Sequence, residues 1–319
     1  MPHNGCPHQC TFCNQVNITG SQSQPTAADV EKAIKTAVES GVDCSKTEIA
    51  FFGGSFTAIN RDYMIELLNA TKKYIDKFYG IRCSTRPDAI DDEILKLLKD
   101  YSVTSIELGA QSMCDDVLLI NERGHTSEDV INSAKLIKKY GISLGLQMMT
   151  GLYGSTVEKD IYTARKIAEL KPDTVRVYPT ITLEGTKLAE LYRSGEYVPY
   201  NEEQTIYSCT EILRYFTKKN INVIRLGLHY SEDIINNKVA GYYHPAFREI
   251  CESRIFFDKI FAELKNYQKG SYIISVAKSS LSKAVGQKKC NTEKLKNNGY
   301  NIKFVANDEL KTFDFIINT

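Results

Sequence analysis

Ser105-Ile106-Glu107-Leu108-Gly109-Ala110-Gln111 alternates strictly between apolar and polar or small residues. Successive side chains of a strand point to opposite faces, so Ile106, Leu108 and Ala110 share one face and Glu107, Gly109 and Gln111 the other. The neighbouring apolar runs read the same way. Leu144, Leu146 and Met148 alternate with Gly145 and Gln147; Val175 and Val177 with Arg176 and Tyr178; Ile224, Leu226 and Leu228 with Arg225. Upstream, Ile81 and Cys83 alternate with Arg82, Ser84 and Arg86. Strands of a doubly wound sheet are covered by helices on both faces and read as continuously apolar. Here one face carries charge and amides, the pattern of a barrel whose interior holds a polar ligand. An edge or strand-end position explains any one charged residue. As a general explanation it would have to hold in all five runs.

Between these runs lie amphipathic stretches at 27–40, 62–78, 91–99, 127–140, 156–170 and 202–219. A further strand at the start of the series ends in Phe52-Gly53-Gly54-Ser55. Regular strand–helix alternation predicts parallel βαβ units. The fold class is α/β: a partial (β/α)6-type TIM barrel over 1–230, with a small C-terminal α/β extension over 231–319. In the extension a helix is expected at 246–266, a short helix at 292–297, and strands at 272–277, 301–305 and 313–317. Lysines are dense there: Lys265, Lys269, Lys278, Lys283, Lys288, Lys289, Lys294, Lys296 and Lys303. Such a run is either a solvated face or a patch that contacts RNA phosphates.

The chain has 319 residues, a net charge of +1 and nine cysteines. No apolar run is long enough to span a bilayer, and the first residues lack a signal-peptide pattern. A cytoplasmic protein with reduced thiols is expected, with no membrane partner and no disulfide framework. The balanced charge gives no overall nucleic-acid footprint.

Three of the cysteines fall together in Pro2-His3-Asn4-Gly5-Cys6-Pro7-His8-Gln9-Cys10-Thr11-Phe12-Cys13-Asn14, spaced C-x3-C-x2-C. Three soft thiolates in one short loop suit an iron–sulfur cluster, whose fourth iron stays open for chemistry. A Cys3His zinc site completed by His3 or His8 and a set of buried structural thiols are the alternatives. Cys44, Cys83, Cys114, Cys209, Cys251 and Cys290 have no metal spacing and read as free thiols. His125 and His229 read as ordinary hydrogen-bonding residues. Tyr242, Tyr243 and His244 have the polar aromatic character of a substrate rim.

The cysteine loop, with Phe12 before its last cysteine, resembles the signature of the radical S-adenosylmethionine (SAM) enzymes. Its wording is similar to the branch holding the Elongator catalytic subunits and the oxygen-independent coproporphyrinogen oxidases. Ser84-Thr85-Arg86-Pro87-Asp88, Glu107 to Ser112, Met149-Thr150-Gly151-Leu152 and Arg176-Val177-Tyr178-Pro179 extend the likeness to about residue 250. The resemblance implies a six-unit, partly open barrel. Cys6, Cys10 and Cys13 would hold a [4Fe–4S] cluster, and its open iron would take the amino and carboxylate groups of SAM. Reductive cleavage of SAM would give a 5′-deoxyadenosyl radical that abstracts hydrogen from a substrate. It also implies an electron donor of the flavodoxin or ferredoxin kind. Phe12 belongs to the signature. Gly53, Gly54 and Ser55 stand where the family receives the SAM amino group, with serine in place of an acid. Glu107 and Gln111 fall near the ribose, and Gln147 near adenine and methionine. Arg86 would clamp a carboxylate or pair with Asp88 or Asp91, and Arg176 would face SAM or an acidic substrate. The family places a strand just upstream of the cysteine loop, where this sequence starts, so that strand is expected to be missing or very short. The chain is also too short for the acetyltransferase domain that Elongator subunits carry. The substrate is left open. An RNA-modifying enzyme that uses the lysine-rich extension is the second reading, and a non-catalytic zinc- or RNA-binding protein the third.

Overall fold

The computed structural model describes residues 6, 9–14 and 24–318. Six parallel strands form one curled sheet in the sequential order β1 (Glu48–Phe51), β2 (Gly80–Thr85), β3 (Val103–Gln111), β4 (Ser143–Thr150), β5 (Thr174–Pro179) and β7 (Asn222–Leu226). The crossovers carry α2 (Arg61–Asn69), α3 (Asp92–Asp100), α5 (Ser127–Lys139), α6 (Val157–Glu169) and α8 (Glu202–Lys218), while α1 (Ala27–Glu39) precedes β1. The helices start where hydroxyl and amide side chains can satisfy the free amides of the first turn. Capping boxes form at Thr26 with Asp29, Thr126 with Asp129 and Asn201 with Gln204.

Strand parity places the core. Ile106, Leu108, Ala110, Leu144, Met148, Val175 and Val177 are fully buried against the helices. The opposite, concave face carries an ionic ladder across the strands. Arg82 on β2 donates to Glu48 on β1 (2.6 Å) and to Glu107 on β3 (3.0 Å). Arg176 on β5 grips the same Glu107 carboxylate with two donors, at 2.5 and 3.0 Å. β4 lies between β3 and β5, and the ion pair has to cross it. Gly145, in register with Glu107 and Thr174, makes the crossing possible: a Cβ there would come within 2.7 Å of the Glu107 Cγ. Burial pushes the Glu48 carboxyl up, but hydrogen bonds from Ser105, Thr104 and Arg82 outweigh it and hold the group below its ordinary value.

One expected helix is shorter than its pattern. The 62–78 stretch is helical only over Arg61–Asn69 and then breaks into turns and a 3₁₀ turn, Ile75–Lys77. The chain must return to Gly80, which pairs with Glu48, and continued helix would carry it away at about 1.5 Å per residue. Several short elements have no clear periodicity in the sequence: α4 (Asp115–Ile120), β6 (Thr182–Leu183), α7 (Lys187–Ser194), α9 (Glu232–Asn237) and β8 (Lys238–Ala240). β6 and β8 pair into a small antiparallel ribbon whose Leu183, together with Ile181 and Ile234, forms its own apolar cluster.

α10 (Phe247–Leu264) belongs to two cores. Phe247, Cys251 and Ile255 pack with the main sheet's core, and Phe256, Ile260 and Leu264 with a second one. That second core lies under a three-stranded sheet ordered β10 (Tyr300–Ala306), β9 (Gly270–Val276), β11 (Phe315–Asn318), with α11 (Leu281–Val285) and α12 (Cys290–Asn297). Among the described residues, no helix is long and apolar enough to cross a membrane.

Candidate functional site

The C-terminal ends of the parallel strands open into a cavity of about 780 Å³. Cys6, Cys10, Phe12 and Cys13 line it from the N-terminal loop. Gly53, Gly54 and Ser55 line it after β1, Arg86 after β2, Glu107 and Gln111 from β3, Gln147 from β4 and Arg176 from β5. Residues dispersed over 170 positions are thus brought to one wall by the parallel sheet. His3 and His8 lie outside the described residues, as does most of the expected 19–25 linker.

The cysteine loop is fastened through Thr11, which is fully buried. Its amide donates to the Asn121 carbonyl (3.2 Å) and its hydroxyl to Asn121 Oδ1 (2.8 Å), while its carbonyl accepts from the Leu188 amide (2.8 Å). The Cys13 amide closes a turn on the Cys10 carbonyl. Among the described residues, no two cysteines are joined in a disulfide. Among the described residues, no three Cys, His, Asp or Glu side chains are already gathered closely enough to hold one metal ion. The donor set nevertheless suits a cluster: three soft sulfurs on one short loop at the wall of one cavity.

Arg123 was not singled out by the sequence, yet it organises this wall. Its Nη1 donates to Cys10 Sγ (3.1 Å) and its Nη2 to the Gly109 carbonyl (2.8 Å), and its guanidinium lies 6.0 Å from the Phe12 ring centroid. Its own carbonyl accepts from Arg86 Nη2 (2.6 Å). Arg123 sits in a loop between α4 and the cap of α5, where neither periodicity nor spacing marks it. Only the Arg123-Gly124-His125 text hints that this loop is special. Arg86 takes the paired alternative: Nε and Nη2 donate to the two oxygens of Asp88 at 2.8 and 2.9 Å. Arg86 Nη1 and Arg123 Nε are buried and have no hydrogen-bond partner among the described residues. Buried unpaired guanidinium donors are costly, and an anionic group at this wall would satisfy them.

Gln111 reaches the cavity by strain. The β3–β4 register shifts between Gly109 and Gln111, and Gln111 adopts φ +63°. Such a bulge re-aims a side chain, and left-handed backbone in a non-glycine residue persists only where its surroundings enforce it. Gln147 Nε2 donates to Gln111 Oε1 at 3.4 Å. Gly53 and Gly54 have φ +89° and +121°, values that favour glycine and bare the backbone at the end of β1. Arg176 lies 5.3 Å from the Phe52 ring as well as on Glu107.

The far side of the cavity is apolar, with Ile181, Leu183, Leu228 and Ile234, and His229 beside them. His229, expected as an ordinary hydrogen-bonding residue, lies on the cavity wall. One expectation changes here. Tyr242, Tyr243 and His244 are not among the cavity residues. Tyr242 packs on Phe247, and His244 Nδ1 accepts from the Ala246 amide at the start of α10. Their polar aromatic character suggested a rim, but Tyr242 and His244 help to seat α10, while Tyr243 packs on the apolar cluster of Ile181, Leu183 and Ile234. His125 is buried, as an ordinary hydrogen-bonding histidine would be. Burial and the nearby Arg123 push its imidazole down to about 4, and its Nε2 faces the Ala110 carbonyl at 3.3 Å.

The turn after β4 is held by Asp160, which accepts from the Gly151 amide (3.0 Å), Ser155 (2.6 Å) and Tyr200 (3.0 Å). Burial raises its carboxyl to about 6 despite these hydrogen bonds.

A parallel half-barrel that brings a three-thiol loop and strand-end glycines to one mouth has its candidate site at the C-terminal strand ends, where parallel α/β barrels bind their ligands. Residues 1–167 match the radical SAM superfamily and residues 172–256 the Radical SAM C-terminal domain, and the chain belongs to that superfamily. Superfamily members are enzymes that use SAM and a [4Fe–4S] cluster. The tRNA uridine(34) acetyltransferase of Methanocaldococcus jannaschii is 31% identical over 215 residues, which cover 60% of this chain and 38% of that protein. Elongator complex protein 3 of Homo sapiens is 31% identical over 195 residues, covering 54% of this chain and 36% of that one. The chain thus spans well under half the length of these curated relatives. Among solved structures, the Methanocaldococcus infernus Elp3 superposes with a TM-score of 0.59 at 24% identity, covering 76% of this chain and 59% of that one. Coproporphyrinogen III oxidase of Escherichia coli superposes at 0.50 and 18% identity, covering 69% and 51%. These two show the fold.

Proposed function

We propose that the chain is a radical SAM enzyme that holds a [4Fe–4S] cluster on Cys6, Cys10 and Cys13 and binds SAM at the adjoining strand ends. The observation that carries this reading is the meeting at one cavity of the thiol loop, the glycine-ended β1 and two arginines with unpaired buried donors. When bound, the cluster held by Cys6, Cys10 and Cys13 would supply the one-electron chemistry for cleaving SAM and abstracting a substrate hydrogen, its electron coming from a flavodoxin- or ferredoxin-like donor.

The chain's own residues prepare the site for this. Gly53 and Gly54 offer bare backbone to the SAM amino group, and Ser55 stands where the family has an acid. Arg86 and Arg123 supply donors to its carboxylate. Gln111 and Gln147 offer amide groups to hydroxyls and a base. Glu107 and Arg176, neutralised by each other and by Arg82, form a rigid polar floor. Ile181, Leu183 and Ile234 exclude water on the substrate side. A tRNA substrate is the second reading, supported by what the similar tRNA uridine(34) acetyltransferase is named for.

The test is anaerobic reconstitution with iron and sulfide, then reduction with SAM present. Brown protein with about four irons per chain and release of 5′-deoxyadenosine are expected. Cys6→Ala, Cys10→Ala and Cys13→Ala should each abolish both. A colourless protein holding one zinc per chain would overturn the proposal.

A further inference from the structure

Over residues 265–307 the chain carries nine lysines and one acid, Glu293, a charge of +8 in a chain whose total is +1. Among the described residues, Lys283 is the one lysine of the nine in an ion pair, with Glu252. The other eight are exposed. Two of them, Lys265 and Lys294, lie over aromatic rings, and a third, Lys269, packs beside them. Phe257 and Phe261, half-buried on α10, stack at 5.5 Å with an interplanar angle of 12°, and Tyr300 meets Phe261 edge-on at 6.5 Å. The Lys265 ammonium lies 5.0 Å from the Phe261 centroid and that of Lys294 5.5 Å from Phe257. The Lys269 stem packs over Gly299, next to Tyr300, where a Cβ would come within 2.7 Å of its Cδ.

This face lies beyond residue 256, where the matched C-terminal domain ends. It is also fixed relative to the cavity. Phe247, the first residue of α10, packs on Gly227, and the next residue, Leu228, lines the cavity. Lys265 follows the last residue of α10, so helix rise alone puts this face roughly 15 Å (Phe257) to 27 Å (Lys265) from that contact. A free nucleotide or other small substrate cannot reach both. A folded polyanion can.

We infer that the Lys265–Lys269–Lys294 face is an RNA-docking surface that grips backbone phosphates while a distant nucleotide of the same molecule enters the cavity. Dispersed lysines on half-buried aromatics suit a phosphate backbone with stackable bases, whereas an anionic membrane would call for a protruding apolar anchor. The inference rests on the RNA reading of the substrate, but its test does not pass through SAM cleavage.

Full-length protein without added iron or SAM is titrated into fluorescein-labelled unfractionated tRNA from 50 to 300 mM salt, following anisotropy. The K265Q/K269Q/K294Q variant should bind at least tenfold more weakly at the lowest salt. Its slope of log affinity against log salt should be shallower by about 2–3, at roughly 0.7–0.9 per phosphate contact. K265R/K269R/K294R should restore both, which separates charge from any effect on folding. Unchanged affinity and slope in the glutamine variant would overturn the proposal. So would binding to phosphatidylserine vesicles with none to tRNA. Normal tRNA binding by a protein that fails to cleave SAM would refute the enzyme reading and leave this surface standing.

Discussion

Gly145→Ala tests the ionic ladder that floors the cavity. Nothing about the Gly145 backbone forbids alanine, and in a strand the exchange by itself would stabilise by about 0.5–1 kcal/mol. The cost comes from position. The new methyl would meet Glu107 Cγ at 2.7 Å and Thr174 Oγ1 at 3.0 Å. Glu107 is 3% exposed and both its oxygens are already held by Arg82 and Arg176. Overpacking of this kind costs about 1–3 kcal/mol. Shifting the carboxylate also weakens Arg176, whereas Arg82 keeps Glu48. The net expectation is a loss of about 2–3 kcal/mol, or roughly 5 °C in melting temperature for a chain of this size. Urea denaturation of the wild type, Gly145→Ala, Glu107→Ala and the double variant measures it. In the Glu107→Ala background the alanine should cost much less, because the closer of its two contacts is gone and only Thr174 Oγ1 at 3.0 Å remains. Equal cost in both backgrounds would refute the ladder as the reason β4 has glycine here.

Three further outcomes follow from the same contacts. Arg123→Met removes the donor to Cys10 Sγ and should lower iron retention after reconstitution about tenfold, read as the iron left per chain against a chelator series. Asp160 has a folded-state value of about 6, above its unfolded one, so folding favours its protonated form. Its contribution is full below about pH 4 and is lost, by about 3 kcal/mol, as pH rises through 6; Asp160→Asn should remove that dependence from a stability–pH curve. His125 runs the other way. Pushed down to about 4, it favours the neutral ring, so its contribution holds above pH 6.5 and is lost by about 3 kcal/mol as pH falls toward 4. His125→Gln should flatten stability over that interval, and a curve unchanged by the substitution would contradict its burial as a neutral ring.

Much of the architecture was legible because it is local. The two-residue period of Ile106, Leu108 and Ala110 against Glu107 and Gln111 is a property of seven consecutive residues, and it separated a polar-lined barrel from a doubly wound sheet. The spacing of Cys6, Cys10 and Cys13 is equally local. The partial barrel follows from such signals repeated strand by strand. The 62–78 stretch marks the limit of that method. Its apolar period runs on past Asn69, but the return to Gly80 is a demand of the sheet, and the helix yields to it.

The site was only half legible. Arg86 carried a carboxylate within two residues, so a local pair was one of two readings and the structure uses it. Arg123 carried no such mark, because its contact with Cys10 spans 113 positions and exists only after β3 and α4 have been laid down. Tyr242 and His244 looked like a rim from composition alone, but burial against α10 reassigned them.

By itself, then, the order of residues determined which faces are apolar, where strands end in glycine and that three thiols are bunched in one loop, since each is written within a few positions. Tertiary structure alone decided which charges meet. Glu107 belongs to Arg82 and Arg176 across a gap left by Gly145, Cys10 belongs to Arg123, and Lys265 and Lys294 share one aromatic platform. The reason is that a strand's period sets only the direction of a side chain. Its partner is set by register, crossover and the room its neighbours leave.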